Sequence, residues 1–305
     1  MEVFEGLFYG FSVALTPSNL LFALLGAVLG TLVGVLPGLG PTTTMALLLP
    51  VSFLVSPTSA IIMLSGVYYG SMYGGSTTSI LMNVPGEPAS IVTCIEGYRM
   101  AQRGRGGAAL AVSAVGSFVA GTLGIVAITS AAPALANFAL RFGPPEFMVL
   151  AILGIAVLVP LIGGSSIGNV FMALLGLALG TIGLDQMTGV NRFTFGLYEL
   201  AIGIELVPLA MGLFGISEML YLAEKSMTNP AIIKTRFREL WPTREEWQRA
   251  IPATLRGSAV GLAMGLLPGP SSTLASFTAF GIEKRIAKSN SGFGDGAIEG
   301  VAAPE

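Results

Sequence analysis

Apolar residues run for about one membrane thickness at several places along the chain, and polar residues collect between the runs. Stretches near the roughly 20 residues needed to cross a bilayer lie at about 19–36, 58–82, 107–131, 146–163, 166–184 and 200–223. Shorter apolar pieces cover 42–55, 253–267 and 273–282 and cannot cross alone. Residues 133–142 predict a short surface helix ahead of Gly143-Pro144-Pro145. The opening MEVFEGLFYGFSVAL has no basic start and no small-residue cleavage site, so it reads as an interfacial or first hydrophobic segment. The pattern predicts an all-α polytopic membrane protein.

The basic residues set the expected sidedness. Of 15 Lys and Arg, three lie at 99–105, seven at 225–256 and three at 284–288, and such loops face the cytoplasm. Four spans separate the first two basic stretches, an even number that returns the chain to the same side. The 225–256 stretch reads as a solvated cytoplasmic loop with Trp241 and Trp247 as interface anchors, not as a nucleic-acid or lipid patch.

A repeat lies in the glycines. GAVLGTLVGVLPG (26–38) and GSAVGLAMGLLPG (257–269) align Gly26, Gly30, Gly34 and Gly38 with Gly257, Gly261, Gly265 and Gly269. Leu36-Pro37 aligns with Leu267-Pro268, and hydroxyl residues follow both copies at Thr42-Thr43-Thr44 and Ser271-Ser272-Thr273. The second copy sits between basic segments and suits a re-entrant hairpin open to the cytoplasm. The first is one crossing away from the 99–105 loop and is expected to open outward. Two such copies make an inverted-topology repeat with discontinuous helices, an architecture of many secondary transporters.

Glycines at every fourth position give one helix face without side chains, a packing surface for Gly26, Gly30 and Gly34. The Pro-Gly step is different, because Pro removes a donor and Gly admits left-handed torsions. Freed backbone groups are tolerated in a membrane only when buried in protein or facing a wet cavity. Hydroxyls after the break can cap a new half-helix, whose N–H groups then offer an end for a small carboxylate. The preceding carbonyls can take Na⁺. The competing reading is a plain kink. "YYGSMYGGSTTSILMNVPGEPAS" (68–90) is too polar to face lipid, so Ser71, Ser76, Thr77, Thr78, Ser79 and Asn83 are candidates for a water-filled path. It can also be an ordinary helix-to-loop transition. Glu205, Glu218 and Asp185 are the acids nearest the spans, either interfacial or proton-carrying.

Composition narrows the class further. Hydrophobic residues make up 53% of the chain and charged ones 10%, with a mean hydropathy of +0.78, far from a soluble domain. One Cys and no His rule out an intrachain disulfide framework and a His-ligated metal. They also leave few tools for enzymatic chemistry, so no catalytic residue and no resident cofactor are expected.

Several collinear motifs resemble the TctA family, the large permease subunits of tripartite tricarboxylate transporters. They are GTLVGVLPGLGPTTT (30–44), YYGSMYGGS (68–76), NVPGEPAS (83–90), EGYRMAQRGRGGAAL (96–110), FGPPEF (142–147) and TIGLDQMTGVNRFTFG (181–196). The resemblance implies a bacterial inner-membrane, multi-pass carrier. It works with a small membrane subunit and a periplasmic solute-binding protein that delivers carboxylates, with Na⁺ or H⁺ as coupling ion. The family's signatures fall on Gly34, Pro37, Gly38, Gly40 and Pro41, then on Tyr69, Gly70, Gly74 and Gly75, then on Asn83, Pro85 and Gly86. With Thr42, Thr43, Ser76, Thr77, Pro268, Gly269, Ser271 and Ser272, these form the expected translocation site. The chain departs from the family at Gln186 and at Pro270-Ser271-Ser272. Its ending, GDGAIEGVAAPE, resembles the start of a longer motif, so the chain reads as C-terminally truncated. The expected organisation is residues 1–224 as first repeat and following spans, 225–256 as cytoplasmic loop, and 257–305 as an incomplete second repeat. A binding-protein-independent channel or exporter, or an inert fragment, are the competing readings.

Overall fold

The computed structural model describes residues 2–36, 40–139, 143–162, 165–185, 188–205, 208–209, 211–216, 220, 240–265, 271–287 and 292–305. Its helices are α1 (Glu2–Ala14), α2 (Pro17–Gly34), α3 (Pro41–Ser52), α4 (Pro57–Met82), α5 (Ile91–Gln102), α6 (Gly106–Ala139), α7 (Pro144–Ile162), α8 (Ser166–Gly180), α9 (Arg244–Gly265), α10 (Ser271–Ile286) and the short α11 (Glu299–Ala302). Among the described residues the fold is all-α apart from two short antiparallel strands, Gly183–Leu184 with Asn191–Arg192. Two of the described helices, at Pro17–Gly34 and Gly106–Ser130, are long and apolar enough to cross a membrane.

Helix α2 is built inside out compared with a helix of a soluble protein. Its buried residues are Asn19, Gly26, Gly30 and Gly34, while Leu21, Leu24 and Leu32 are exposed. The glycine face lies directly on α4. A Cβ on Gly26, Gly30 or Gly34 would run into the carbonyl of Met63, Val67 or Ser71 respectively. Reciprocally, a Cβ on Gly70 would strike the Ala27 carbonyl. Small residues on both helices let the backbones touch, which is how helices associate where lipid removes the hydrophobic drive between them. Asn19 and Ser59 add a polar tie, with the Ser59 hydroxyl donating to Asn19 Oδ1 at 2.7 Å.

The second glycine-rich segment packs differently: only Gly257 approaches another backbone, and nothing lies within 4 Å of a Cβ on Gly261 or Gly265. Helices α9 and α10 pack as a pair, and Gly257 accommodates the Ala303 carbonyl beside α11. The two halves meet in a core that includes Ile80, Met100, Val112, Ala253, Ala279 and Val301. One end of the bundle collects the charge. Arg99 and Arg103 each lie 3.7 Å from Asp295, Arg105 pairs with Glu246, and Arg249 forms a two-point bond to Glu299 at 2.7 Å. The Asp295 pairs are largely exposed and contribute little to stability.

Four expectations change. Residues 133–139 are not a separate surface helix: α6 continues through them without a break to Ala139, in an alanine-rich stretch that favours helix. The span expected over 166–184 ends at Gly180, and residues 183–184 enter the hairpin. The described part of 200–223 is not one helix. A 3₁₀ turn (Glu199–Ile202) ends at Gly203, whose φ of +88° breaks it, and a π-helical turn covers Met211–Ile216. The stretch expected as a loop to residue 256 becomes helix at Arg244. Thr243 and Glu246 cap that start reciprocally: the Thr243 N–H donates to Glu246 Oε2 at 2.6 Å, and the Glu246 N–H to Thr243 Oγ1 at 3.2 Å. Trp247 packs against the core, whereas Trp241 is exposed.

Burial pushes the Glu246 carboxyl up, but hydrogen bonds from Arg105 and Thr243 outweigh it and hold the group below the usual carboxylate range. A depressed folded-state pKa stabilises above the unfolded value, and that stability is lost as pH falls through the folded one. Thr243→Ala is therefore expected to lower stability by about 1 kcal/mol at neutral pH. The deficit should shrink in acid, read from melting curves in detergent at pH 7 and pH 3.

Candidate functional site

The chain after α4 turns back on itself. Asn83 ends the helix in the left-handed region (φ 57°), and Pro85 and Gly86 are buried. A Cβ on Gly75 would lie 3.4 Å from the Gly86 Cα, so Gly86 sits seven residues back along α4 from its end. A 3₁₀ turn (Pro88–Ser90) then leads into α5.

This turn forms one wall of a cavity of about 600 Å³. Helix α4 contributes Tyr69, Met72, Tyr73 and Ser76, the turn contributes Glu87 and Ser90, and α6 contributes Ser117 and Thr122. Ser276 of α10 and the segment Pro304-Glu305 close it from the second half of the chain. A second cavity of about 340 Å³ lies beside the first and shares Met72, Ala89, Ala120, Ser276, Pro304 and Glu305. Its own wall includes Gly257, Ser258, Gly261 and Ser272.

Glu305 ties the wall together. Its Oε2 accepts from Ser76 (3.0 Å) and Ser113 (2.8 Å), and its Oε1 accepts from Thr93 (2.8 Å). The Ser117 hydroxyl donates to the Glu305 carbonyl at 3.3 Å, and Ser276 to the Pro304 carbonyl at 3.0 Å. Three helices of the first half thus hold one residue of the second.

The expected site residues divide. Tyr69 and Ser76 line the first cavity and Ser272 the second. Pro85 and Gly86 shape the turn. Gly74 is a packing residue: a Cβ there would lie 2.7 Å from the Thr31 carbonyl oxygen and from the Gly34 carbonyl carbon, so no ligand fits. Thr77 bonds back to the Tyr73 carbonyl at 2.8 Å, and Thr78 and Ser79 to that of Gly75 at 2.9 Å, as hydroxyls inside helices often do. Gly40 and Pro41 start α3. Thr42 and Thr43 are exposed and outside both cavities; Thr44 is the buried one, 3.1 Å from the Ser71 hydroxyl. Ser271 opens α10. Pro37, Gly38, Pro268, Gly269 and Glu218 lie outside the described residues.

Of the other acids, Glu205 is exposed, and Asp185 bonds Arg192 at 2.6 Å within the small hairpin. Sequence reasoning missed Glu87 and Glu305. Both stand outside the long apolar runs, so a search for acids within spans passes them by.

A family model described as the tripartite tricarboxylate transporter TctA family matches residues 20–305. An uncharacterized 52.8 kDa protein in the TAR-I ttuC' 3' region of Agrobacterium vitis is 48% identical over 305 residues, which is 100% of this chain and 61% of that protein. The chain therefore spans less than two thirds of that relative. An uncharacterized protein in the TAR-II ttuC' 3' region of the same organism is 51% identical over 45 residues, 15% of this chain and 19% of that protein. No solved structure matches. Matched along nearly its whole length, the chain belongs to the TctA family of tripartite tricarboxylate transporters.

Proposed function

We propose that this chain is the permease part of a cation-coupled secondary carrier that imports tricarboxylate-type substrates across a bacterial inner membrane. A periplasmic solute-binding protein hands over the substrate, and a small membrane subunit completes the complex. The observation that carries this reading is the first cavity. At about 600 Å³ it has the size of a small-molecule site, and hydroxyls from both halves of the chain line it. The matching order of a glycine-rich helix followed by a helix that opens on hydroxyl residues, α2 then α3 and α9 then α10, supports the reading of an inverted repeat. The clustering of Arg99, Arg103, Arg105 and Arg249 at one end supports a cytoplasmic face there.

Glu87 and Glu305 bear on the coupling. A cavity with two carboxylates repels a bare polycarboxylate, so Na⁺ or H⁺ enters with the substrate and balances its charge. Tyr69 and Tyr73 carry the hydroxyls that meet the substrate's carboxylates, because the Ser and Thr hydroxyls of the wall already donate within the protein.

The test is uptake of labelled citrate, with succinate as a dicarboxylate alternative, into cells making the complete permease, the small subunit and the binding protein. Uptake is expected to vanish when the binding protein is removed. Pro85→Ala is expected to lower it at least roughly tenfold, about 1.4 kcal/mol in the barrier, with the protein still in the membrane. Binding-protein-independent flux would establish the channel or exporter reading instead. No uptake of either acid would overturn the substrate class.

A further inference from the structure

We propose that Glu305 is the proton-carrying carboxylate of this cavity, with Ser76, Thr93 and Ser113 as a hydroxyl cage that serves both of its protonation states. The proposal rests on the carrier reading and names its coupling ion and the residue that holds it. Three hydroxyls on three different helices reach the two oxygens at 2.8–3.0 Å. The hydroxyls themselves are buried, with Ser76, Thr93 and Ser113 at 3%, 1% and 0% exposure. Each can donate to an ionised carboxylate, and each can rotate to accept from a protonated one. The cage therefore needs no rearrangement when the proton binds or leaves. Oxygens already touching at hydrogen-bond distance leave no gap between them for a metal cation, which favours H⁺ over Na⁺ at this position.

The surroundings supply the reason to protonate. On α4, Tyr73 faces the same space as Ser76, and the turn presents Glu87, itself 8% exposed. On α5, Cys94 lies within electrostatic reach. Helix α6 presents hydroxyls and apolar side chains and no charged group, and α10 presents Ser276. On α9, Arg249 and Arg256 are engaged by Glu299 and Glu283. Among the described residues no Lys or Arg forms an ion pair with Glu305 or Glu87. Two like charges sharing one cavity without a cation are costly, and a single proton relieves both. Transport then takes a proton onto a Glu305 oxygen from the side where the cavity opens and releases it on the other, with no other bond made or broken.

The experiment is acid-minus-alkaline infrared difference spectroscopy on the complete permease in lipid vesicles, without substrate. The spectrum is expected to contain the carbonyl stretch of a protonated carboxylic acid. Glu305→Gln should remove that band and Glu87→Gln should keep it. Ser113→Ala and Thr93→Val leave the acid in place and should shift the band's frequency, because each removes one hydrogen bond. A band that survives in Glu305→Gln, or that is untouched by both cage variants, overturns the proposal. A band that responds to Na⁺ at constant pH overturns it in favour of a sodium site. The spectrum requires no citrate, so failure of citrate uptake bears on the carrier reading and leaves this result standing.

Discussion

Gly70→Val is expected to abolish the accumulation of folded protein. The new Cβ would fall on the Ala27 carbonyl and within 2.9 Å of the Thr31 amide nitrogen. Both obstacles are backbone, so no rotamer change relieves them, and α2 and α4 must separate along a shared face. Overpacking a core ordinarily costs about 1–3 kcal/mol, and a backbone clash at the centre of the largest helix pair exceeds that range. Gly176→Val is the control. That glycine lies in α8, and nothing stands within 4 Å of its Cβ position. Fluorescence-detected size exclusion of membranes solubilised in mild detergent reads both variants. A monodisperse Gly70→Val peak at control height would mean that α2 and α4 do not pack as described.

Glu96→Ala is expected to be nearly as damaging, for an electrostatic reason. Glu96 is 1% exposed and accepts three backbone N–H groups, from Gly294 (2.6 Å), Gly296 (2.7 Å) and Ala297 (2.8 Å). Gly294 and Gly296 have φ of +91° and +101°, the region glycine tolerates, and this lets successive amides converge on one carboxylate. Removing the carboxylate strands these donors at about 1–3 kcal/mol for each one buried. A loss of roughly 3 kcal/mol or more is expected, with Glu96→Gln intermediate because it keeps one acceptor oxygen. Limited proteolysis should cut near residues 292–297 in Glu96→Ala and spare the unaltered chain. Equal resistance in both would show that this segment is held by its apolar contacts alone.

The parts of this fold legible in the sequence are those where one physical rule dominates. The apolar runs predict α2, α6 and α8, and the glycine spacing marks the face of α2 that touches α4. Phase is harder to read. Helix α3 is apolar on nearly every side, so nothing in its pattern says that Thr44 turns inward while Thr42 and Thr43 face out; Ser71 of α4 decides it. The helix start at Arg244 escaped the hydropathy pattern because charged residues crowd it; only the T-x-x-E spacing of Thr243 and Glu246 marks it. The candidate site was legible as a chemistry of hydroxyls beside broken helices and not as a constellation. The Ser76–Glu305 bond joins residues 229 apart, and no local spacing signals it.

One dimension of α6 reaches beyond the protein. At 1.5 Å per residue its 34 residues measure about 51 Å, against a hydrocarbon core near 30 Å. Even at the steep end of observed tilts, around 40°, the helix is longer than the oily layer is thick. Its first turn is fixed beside the charged cluster through Arg105 and Glu246, so the excess emerges at the far end. An α6 that crosses a bilayer would therefore carry its last turns before Ala139 past the edge of the hydrocarbon layer, into the depth of the lipid headgroups or beyond.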